Sequence, residues 1–316
     1  MSKAIKFNDT IKKYIAVRLE TQSNKTAIAR EVQKAFSIDQ DIDRIRKKIS
    51  NFALKNNITA RTAGIKRLFF DIENAPYKGW FWQTGWKQTV GTHQIDEDKR
   101  IIMVCYKWQH EDKVHVIKWD KNQDDKELLE KFIKVLGEAD EAIAHNGDRF
   151  DIKELRTRAI MQGVLMFPKY RTFDTLKKAR QYFNFPSNRL DYLGEISGFG
   201  GKMETNYDLW REVVDNKSSK AMKEMVEYCI RDVLVLEAVF YWMSPFVNHE
   251  TNFAVKLGKG KWCCPECGSE KVKLSHTDTT RMGYIKRHFK CNDCRKFYHV
   301  SNRTYLSYLK EVCYNA

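Results

Sequence analysis

Up to residue 65 the apolar positions recur every three or four residues, in three runs: Ile11, Tyr14, Ile15 and Leu19; Ala27, Ile28, Val32, Ala35 and Phe36; Ile42, Ile45, Ile49 and Phe52. That period predicts three amphipathic helices, with Ser37-Ile38-Asp39-Gln40 as the short connection between the last two. The pattern then changes. Leu68-Phe69-Phe70-Asp71-Ile72-Glu73 is an apolar run interrupted by two acids and closed by Asn74-Ala75-Pro76, which predicts a buried strand ending where a loop begins. Ala142-Ile143-Ala144 predicts a second short strand. His145-Asn146-Gly147-Asp148 then turns the chain into helical spacing through Ile152, Leu155, Ala159 and Ile160. A long helix is predicted through Met222, Met225, Val226, Cys229, Val233, Leu236 and Phe240.

The chemistry sits inside these elements. Residues two apart on a strand share a face, so Asp71 and Glu73 stand side by side. Two carboxylates so placed repel, and each resists ionisation unless a cation lies between them. Asp151 falls at a helix start, where an acid by itself is a cap or dipole partner. Tyr228 and Asp232 are four apart on the long helix, so a phenol and a carboxylate project together, although a tyrosine packed on its own helix has the same spacing. As a set, Asp71, Glu73, Asp151 and Asp232 can build a two-metal site for phosphodiester cleavage, because hard divalent cations choose carboxylate oxygens.

The motifs DIENAP, HNGDRFD, FDTL, LDYLGE and YCIRD, with a tryptophan-rich stretch after the first, resemble the DEDD superfamily of 3′-5′ exonucleases, in the branch whose third motif is Tyr-x-x-x-Asp. More closely they look like the exonucleases, common in phage genomes, that are related to the proofreading domain of family B DNA polymerases. The resemblance covers roughly residues 66 to 243, with three motifs in order. It implies an α/β, RNase H-like fold, a mixed sheet flanked by helices. It also implies that Asp71, Glu73, Asp151 and Asp232 hold two Mg²⁺ or Mn²⁺ ions, with Tyr228 orienting the attacking water. A phenol, with an unperturbed pKa of about 10, is a poor general base. His145 is not at the histidine position of the sister branch and reads as structural.

Charge divides the chain in the same places. The net charge is +15, yet residues 66–249 hold 29 Lys and Arg against 29 Asp and Glu; residues 1–65 hold 14 against 6 and residues 250–316 hold 13 against 6. A neutral body between two basic flanks predicts a nuclease tethered to a polyanion, and three domains: 1–65, 66–249 and 250–316. The first flank reads as a helix-turn-helix, with Arg44, Lys47, Lys48, Asn51 and Lys55 on the polar face of its last helix as nucleic-acid contacts. A three-helix bundle that binds protein shows the same pattern. The chain has no long uncharged apolar run, so a soluble, cytoplasmic protein is expected, in an infected host cell if the phage resemblance extends that far, with replication or recombination proteins as partners and no membrane.

The second flank carries Cys264-Pro-Glu-Cys267 and Cys291-Asn-Asp-Cys294, whose two C-x₂-C knuckles predict one structural Zn²⁺ in a zinc ribbon, with Cys263 as a rival for the first ligand. Basic residues of the intervening hairpin, Arg281, Lys286 and Arg287, are expected at nucleic acid, as in the ribbons of replication and transposition proteins that it resembles. His276, His288 and His299 read as surface residues, and Cys105, Cys229 and Cys313 as ordinary reduced cysteines. Tyr77, Trp80, Phe81, Trp82 and Trp86 crowd the segment after the first acidic pair; core packing is expected to absorb most of them, with one or two, Trp80 and Trp82 foremost, facing unpaired bases. An exoribonuclease remains an alternative, since no motif reads the 2′-hydroxyl. A transposase or guide-dependent nuclease shares the architecture, but in the guided type an acid follows the ribbon, and no Asp occurs after Cys294.

Overall fold

The computed structural model describes residues 7–21, 25–36, 38–55, 65–82, 90–109, 111–201, 205–248 and 250–313. Its packing separates two compact units, Lys66–Phe240 and Met1–Ile65 with Tyr241–Ala316. Among the described residues no helix is long and apolar enough to cross a membrane.

The amino-terminal runs form helices α1 (Asp9–Thr21), α2 (Lys25–Ala35) and α3 (Ile42–Lys55). Their stripes close into one small core of Ile11, Ile15, Leu19, Ile28, Val32, Ile45 and Ile49. Arg18 grips Glu31 by two parallel bonds of 2.6 and 2.7 Å, a planar fork-on-fork pair that fixes α1 against α2.

The unit Lys66–Phe240 contains strands β1 (Arg67–Asn74), β2 (Lys78–Gly79), β3 (Ile95–Glu97), β4 (Ile101–Trp108), β5 (His115–Lys118), β6 (Glu141–Ala144) and β7 (Thr172–Asp174). Its helices are α4 (Lys126–Glu138), α5 (Asp151–Met161), α6 (Thr175–Tyr182), α7 (Leu190–Ile196), α8 (Tyr207–Val214) and α9 (Ser219–Met243). Five strands make a mixed sheet in the order β5-β4-β1-β6-β7, while β2 and β3 pair separately. β1 is the middle strand, antiparallel to β4 and parallel to β6. It is covered on both faces, which is why Leu68-Phe69-Phe70 is continuously apolar rather than alternating. Leu68, Phe70 and Ile72 pack into a cluster with Leu128, Phe132 and Leu136 of α4 and Ile152 and Leu155 of α5. The opposite face meets α9, where Phe69 packs edge-on to Phe240 at 5.4 Å. Two buried ion pairs brace that face, Arg67 with Glu141 at 3.0 Å and Lys107 with Glu237 at 2.7 Å. Removing one partner of such a pair strands a buried charge, at a cost of about 3–5 kcal/mol.

The carboxyl-terminal segment holds the short helix α10 (Phe253–Lys256), the antiparallel sheet β10-β9-β8 built from β8 (Val272–Thr279), β9 (Ile285–Cys291) and β10 (Phe297–Ser301), and helix α11 (Asn302–Tyr308). Phe289 and Trp262 anchor its core, and Tyr298 donates its hydroxyl to the Trp262 carbonyl at 2.6 Å.

Candidate functional site

Asp71 and Glu73 lie in the last half of β1, on the face that meets α9; Glu73 is buried and Asp71 half-buried. The parallel pairing of β1 with β6 ends at Phe69↔Ile143, because the chain leaves β6 in the turn 145–148. Two residues make that turn feasible. Asn146 takes φ 69°, which Asn tolerates better than most side chains, and at Gly147 a Cβ would lie 2.5 Å from that of Ala144. The turn delivers Asp151, first residue of α5, to the open edge of β1. There its carboxylate accepts the main-chain N–H of Ile72, the residue between Asp71 and Glu73.

Burial, and then the charge of Asp71, push the Asp151 carboxyl well above the usual carboxylate range. Its Oδ1 is buried and has no hydrogen-bond partner among the described residues. Leaving an acceptor in that state costs about 1–3 kcal/mol. A cation would remove both penalties, so the donor set fits a hard divalent metal.

The third contribution comes from α9. Cys229 Sγ donates to the Asp71 carbonyl at 3.8 Å, and the sulfur lies within 4.8 Å of carboxylate oxygens of Asp71 and Glu73, as they do of each other. Burial first, then Cys105 and the two acids, push this thiol well up, so it stays neutral beside them. Asp232, buried one turn further on, shares that face of the helix, and Tyr228 rests edge-on against Trp210 at 6.2 Å. Asp71, Glu73 and Asp151 are thus drawn together around Ile72, and Asp232 and Tyr228 are carried on the helix docked beside them.

Two residues escaped the sequence reading. Cys229 looked ordinary because its contact is made across the sheet, where spacing carries no signal. Asp174 does have a signal, an Asp-Thr pair before a helical run. It caps α6 by accepting from Lys177 N at 3.1 Å, and it clamps the turn by accepting from Asn146 N at 3.0 Å and Asp148 N at 3.3 Å. His145 is tied through Nδ1 to the Thr175 hydroxyl at 2.8 Å.

The expectation that core packing absorbs the aromatic segment fails. Trp80 is 80% exposed and Trp82 99%, with Tyr77 and Phe81 about half exposed, because this segment joins the small β2–β3 ladder outside the main sheet. Trp86 lies outside the described residues. On α3, Arg44, Lys47 and Asn51 are exposed; Lys48 is half-buried with its ammonium 5.2 Å from the Phe7 ring, and the Lys55 side chain lies outside the described residues. Arg281 and Lys286 are exposed on the ribbon. Arg287 is not free: it donates to Asn302 Oδ1 at 3.1 Å and Thr277 Oγ1 at 2.9 Å and stacks 4.7 Å from the Tyr305 ring.

The four knuckle sulfurs of Cys264, Cys267, Cys291 and Cys294 converge within 4.8 Å, and Cys263 is not among them. Burial pushes the Cys263 thiol up to about 11, as for a core cysteine. Hydrogen bonding among the quartet drives Cys264 up and Cys291 down. The quartet could hold zinc.

A mixed five-stranded sheet flanked by helices, with carboxylates gathered at its middle strand, defines an RNase H-like nuclease domain. The chain belongs to the RNase_H superfamily, whose family model matches residues 68–244. No curated protein matches it. Among solved structures it is similar to the family B DNA polymerase from the hyperthermophilic archaeon Pyrobaculum calidifontis, with TM-score 0.45 and 17% identity, over 57% of this chain and 25% of the polymerase chain.

Proposed function

We propose that this chain is a metal-dependent 3′-5′ exonuclease acting on nucleic acid, with DNA favoured over RNA. The observation that supports the reading is the buried Oδ1 of Asp151, without a hydrogen-bond partner among the described residues and close enough to Asp71 to feel its charge. Asp71, Glu73, Asp151 and Asp232 would hold two Mg²⁺ or Mn²⁺ ions, which in such sites activate a water and stabilise the leaving 3′ oxygen. Tyr228 orients that water through its hydroxyl. Asp174 holds the turn that presents Asp151, and Cys229 holds α9 against β1.

The remaining parts bind and position. Exposed Trp80 and Trp82 offer faces on which unpaired bases stack. The division 1–65, 66–249 and 250–316 makes the first segment a helix-turn-helix whose Arg44, Lys47, Lys48, Asn51 and Lys55 meet phosphates. The last becomes a ribbon closed by one structural Zn²⁺ on Cys264, Cys267, Cys291 and Cys294, with Arg281 and Lys286 toward nucleic acid. Arg287, bound to its own ribbon, supports that surface. Partners in replication or recombination and a cytoplasmic place of action follow from this reading.

The test is an incubation of 5′-labelled single-stranded DNA, duplex DNA and RNA with the protein and Mg²⁺ or Mn²⁺, resolved on a gel. A ladder shortening from the 3′ end, faster on DNA, is expected. Direct release of internal fragments, or no cleavage of any substrate, sinks the proposal.

A further inference from the structure

The ribbon carries a second group of ligand-type side chains on its outer face. His276 of β8, His288 of β9 and His299 of β10 form one row across the sheet, paired His276↔His288 and His299↔His288. The rings of His276 and His288 stack with centroids 4.1 Å apart and planes 11° from parallel, and His299 follows at 6.1 Å from His288. Asp278, two residues along β8, places Oδ2 at 2.9 Å from His288 Nε2 and 3.7 Å from His276 Nε2.

A register fault creates this row. Leu274 pairs with Phe289, yet His276 pairs with His288, so the bulge at Ser275 turns the strand over. On a regular strand His276 would share the face of Leu274, opposite Phe289, which is buried in the ribbon core. Bulges re-aim side chains in this way and are frequent beside functional sites. The bulge therefore delivers an imidazole to the one face where another imidazole and a carboxylate already stand.

His288 Nε2 supplies an independent observation. It is buried and makes no hydrogen bond among the described residues, although the Asp278 carboxylate is 2.9 Å away, so the approach lies off the line a hydrogen bond requires. A nitrogen held close to a carboxylate oxygen without bonding to it has the arrangement of two ligands on one ion. In a tetrahedral zinc site with bonds of about 2.0–2.1 Å, neighbouring ligand atoms stand about 3.3 Å apart. The two separations from Asp278 bracket that edge, and the three donor atoms all lie within 4.8 Å of one another.

We propose that His276, Asp278 and His288 form a second metal site on the ribbon, apart from the cysteine quartet and from the carboxylates of β1. Its ligand is a borderline divalent transition ion, Zn²⁺ foremost, since imidazole nitrogens select such ions over Mg²⁺. Three protein ligands leave the fourth position to water. His299, exposed and farther along the row, is a neighbour and not a ligand.

The experiment uses the full chain without an affinity tag, its cysteine quartet loaded with zinc and excess Mg²⁺ present to fill the carboxylate site. Calorimetric titration with Zn²⁺ should show one more equivalent bound by the wild-type chain than by His276→Ala or His288→Ala, and weakened binding in Asp278→Asn. His299→Ala should keep the full number. In the wild-type chain, nuclear magnetic resonance should show the ring nitrogens of His276 and His288 shifting together as Zn²⁺ is added. Should His288→Ala disturb the ribbon, His276→Ala on the edge strand and the wild-type ring signals still decide. Equal stoichiometry in the wild-type chain and His276→Ala, or ring signals that do not move, would overturn the site. Loss of the ion from His299→Ala but not from His276→Ala would overturn the ligand assignment.

Discussion

Cys229 on α9 donates its thiol to the main-chain oxygen of Asp71 on β1 at 3.8 Å, so the helix carrying Tyr228 and Asp232 is docked against the strand that carries the acidic pair. The contact is small, and its tolerance for bulk is correspondingly low. Cys229→Ala should cost about 1 kcal/mol in stability and leave cleavage measurable. Cys229→Leu should overpack the seam by about 1–3 kcal/mol and lower turnover far more than the melting temperature alone would explain. Thermal melts beside Mn²⁺-supported kinetics decide it; full turnover in the leucine variant would show that the seam does not position the site.

Asp151 makes the metal-free chain sensitive to pH. Its carboxyl is raised in the folded state above an unfolded value of about 3.9, so the stability it contributes is fully present below about pH 4 and is lost as pH rises through the raised value. Asp151→Asn removes this loss. Without metal, the variant should melt above the wild type at neutral pH, with the gap closing toward about pH 4. Saturating Mn²⁺ should stabilise the wild type and leave the variant nearly unmoved. A wild-type melting temperature that rises steadily to neutral pH without metal contradicts the strained pair.

Substitutions at the proposed ligands separate chemistry from binding. Asp71→Ala and Asp232→Asn should abolish cleavage while the fold and nucleic-acid affinity persist. Tyr228→Phe should slow cleavage by about 10²–10⁴ with metal affinity unchanged, as loss of a group that positions water predicts. Calorimetry beside single-turnover rates checks both, and an equal fall in affinity and rate would make Tyr228 structural.

The cysteine quartet should hold about one zinc per chain after dialysis against a mild chelator, as a closed four-thiolate site implies. Cys267→Ser should lower retained zinc and expose the ribbon core around Phe289 to proteolysis, whereas Cys263→Ser should retain the ion. A zinc-free preparation with an intact ribbon would refute the assignment.

The basic flanks predict a salt slope. The full chain should lose affinity for long DNA steeply as salt rises, and a fragment of residues 66–249 should bind more weakly with a shallower slope, because fewer phosphates are neutralised and fewer counterions released. Equal slopes would mean that the flanks bind a protein instead.

Much of this molecule is written in short-range pattern. The three amino-terminal helices, the strand 67–74, the turn and helix around Asp151, and the long helix of Tyr228 and Asp232 all follow from the spacing of apolar residues and a few turn residues, since those forces act within a few positions of the chain. The acidic pair on one strand face and the two cysteine knuckles are legible for the same reason.

Position in space was decided elsewhere. Only the parallel pairing of β1 with β6, ended by the turn at Asn146 and Gly147, sets Asp151 against Ile72 between the two acids. Only docking across the sheet makes Cys229 a neighbour of Asp71, and only the small β2–β3 ladder leaves Trp80 and Trp82 in solvent. The bulge at Ser275 is the sharpest case: by sequence spacing His276 belongs on the face of Leu274, and the register shift puts it beside His288. Strand partners, bulges and helix docking join residues far apart in the chain, and their energies depend on which surfaces meet, so local spacing specifies the parts while tertiary packing brings their chemistry together.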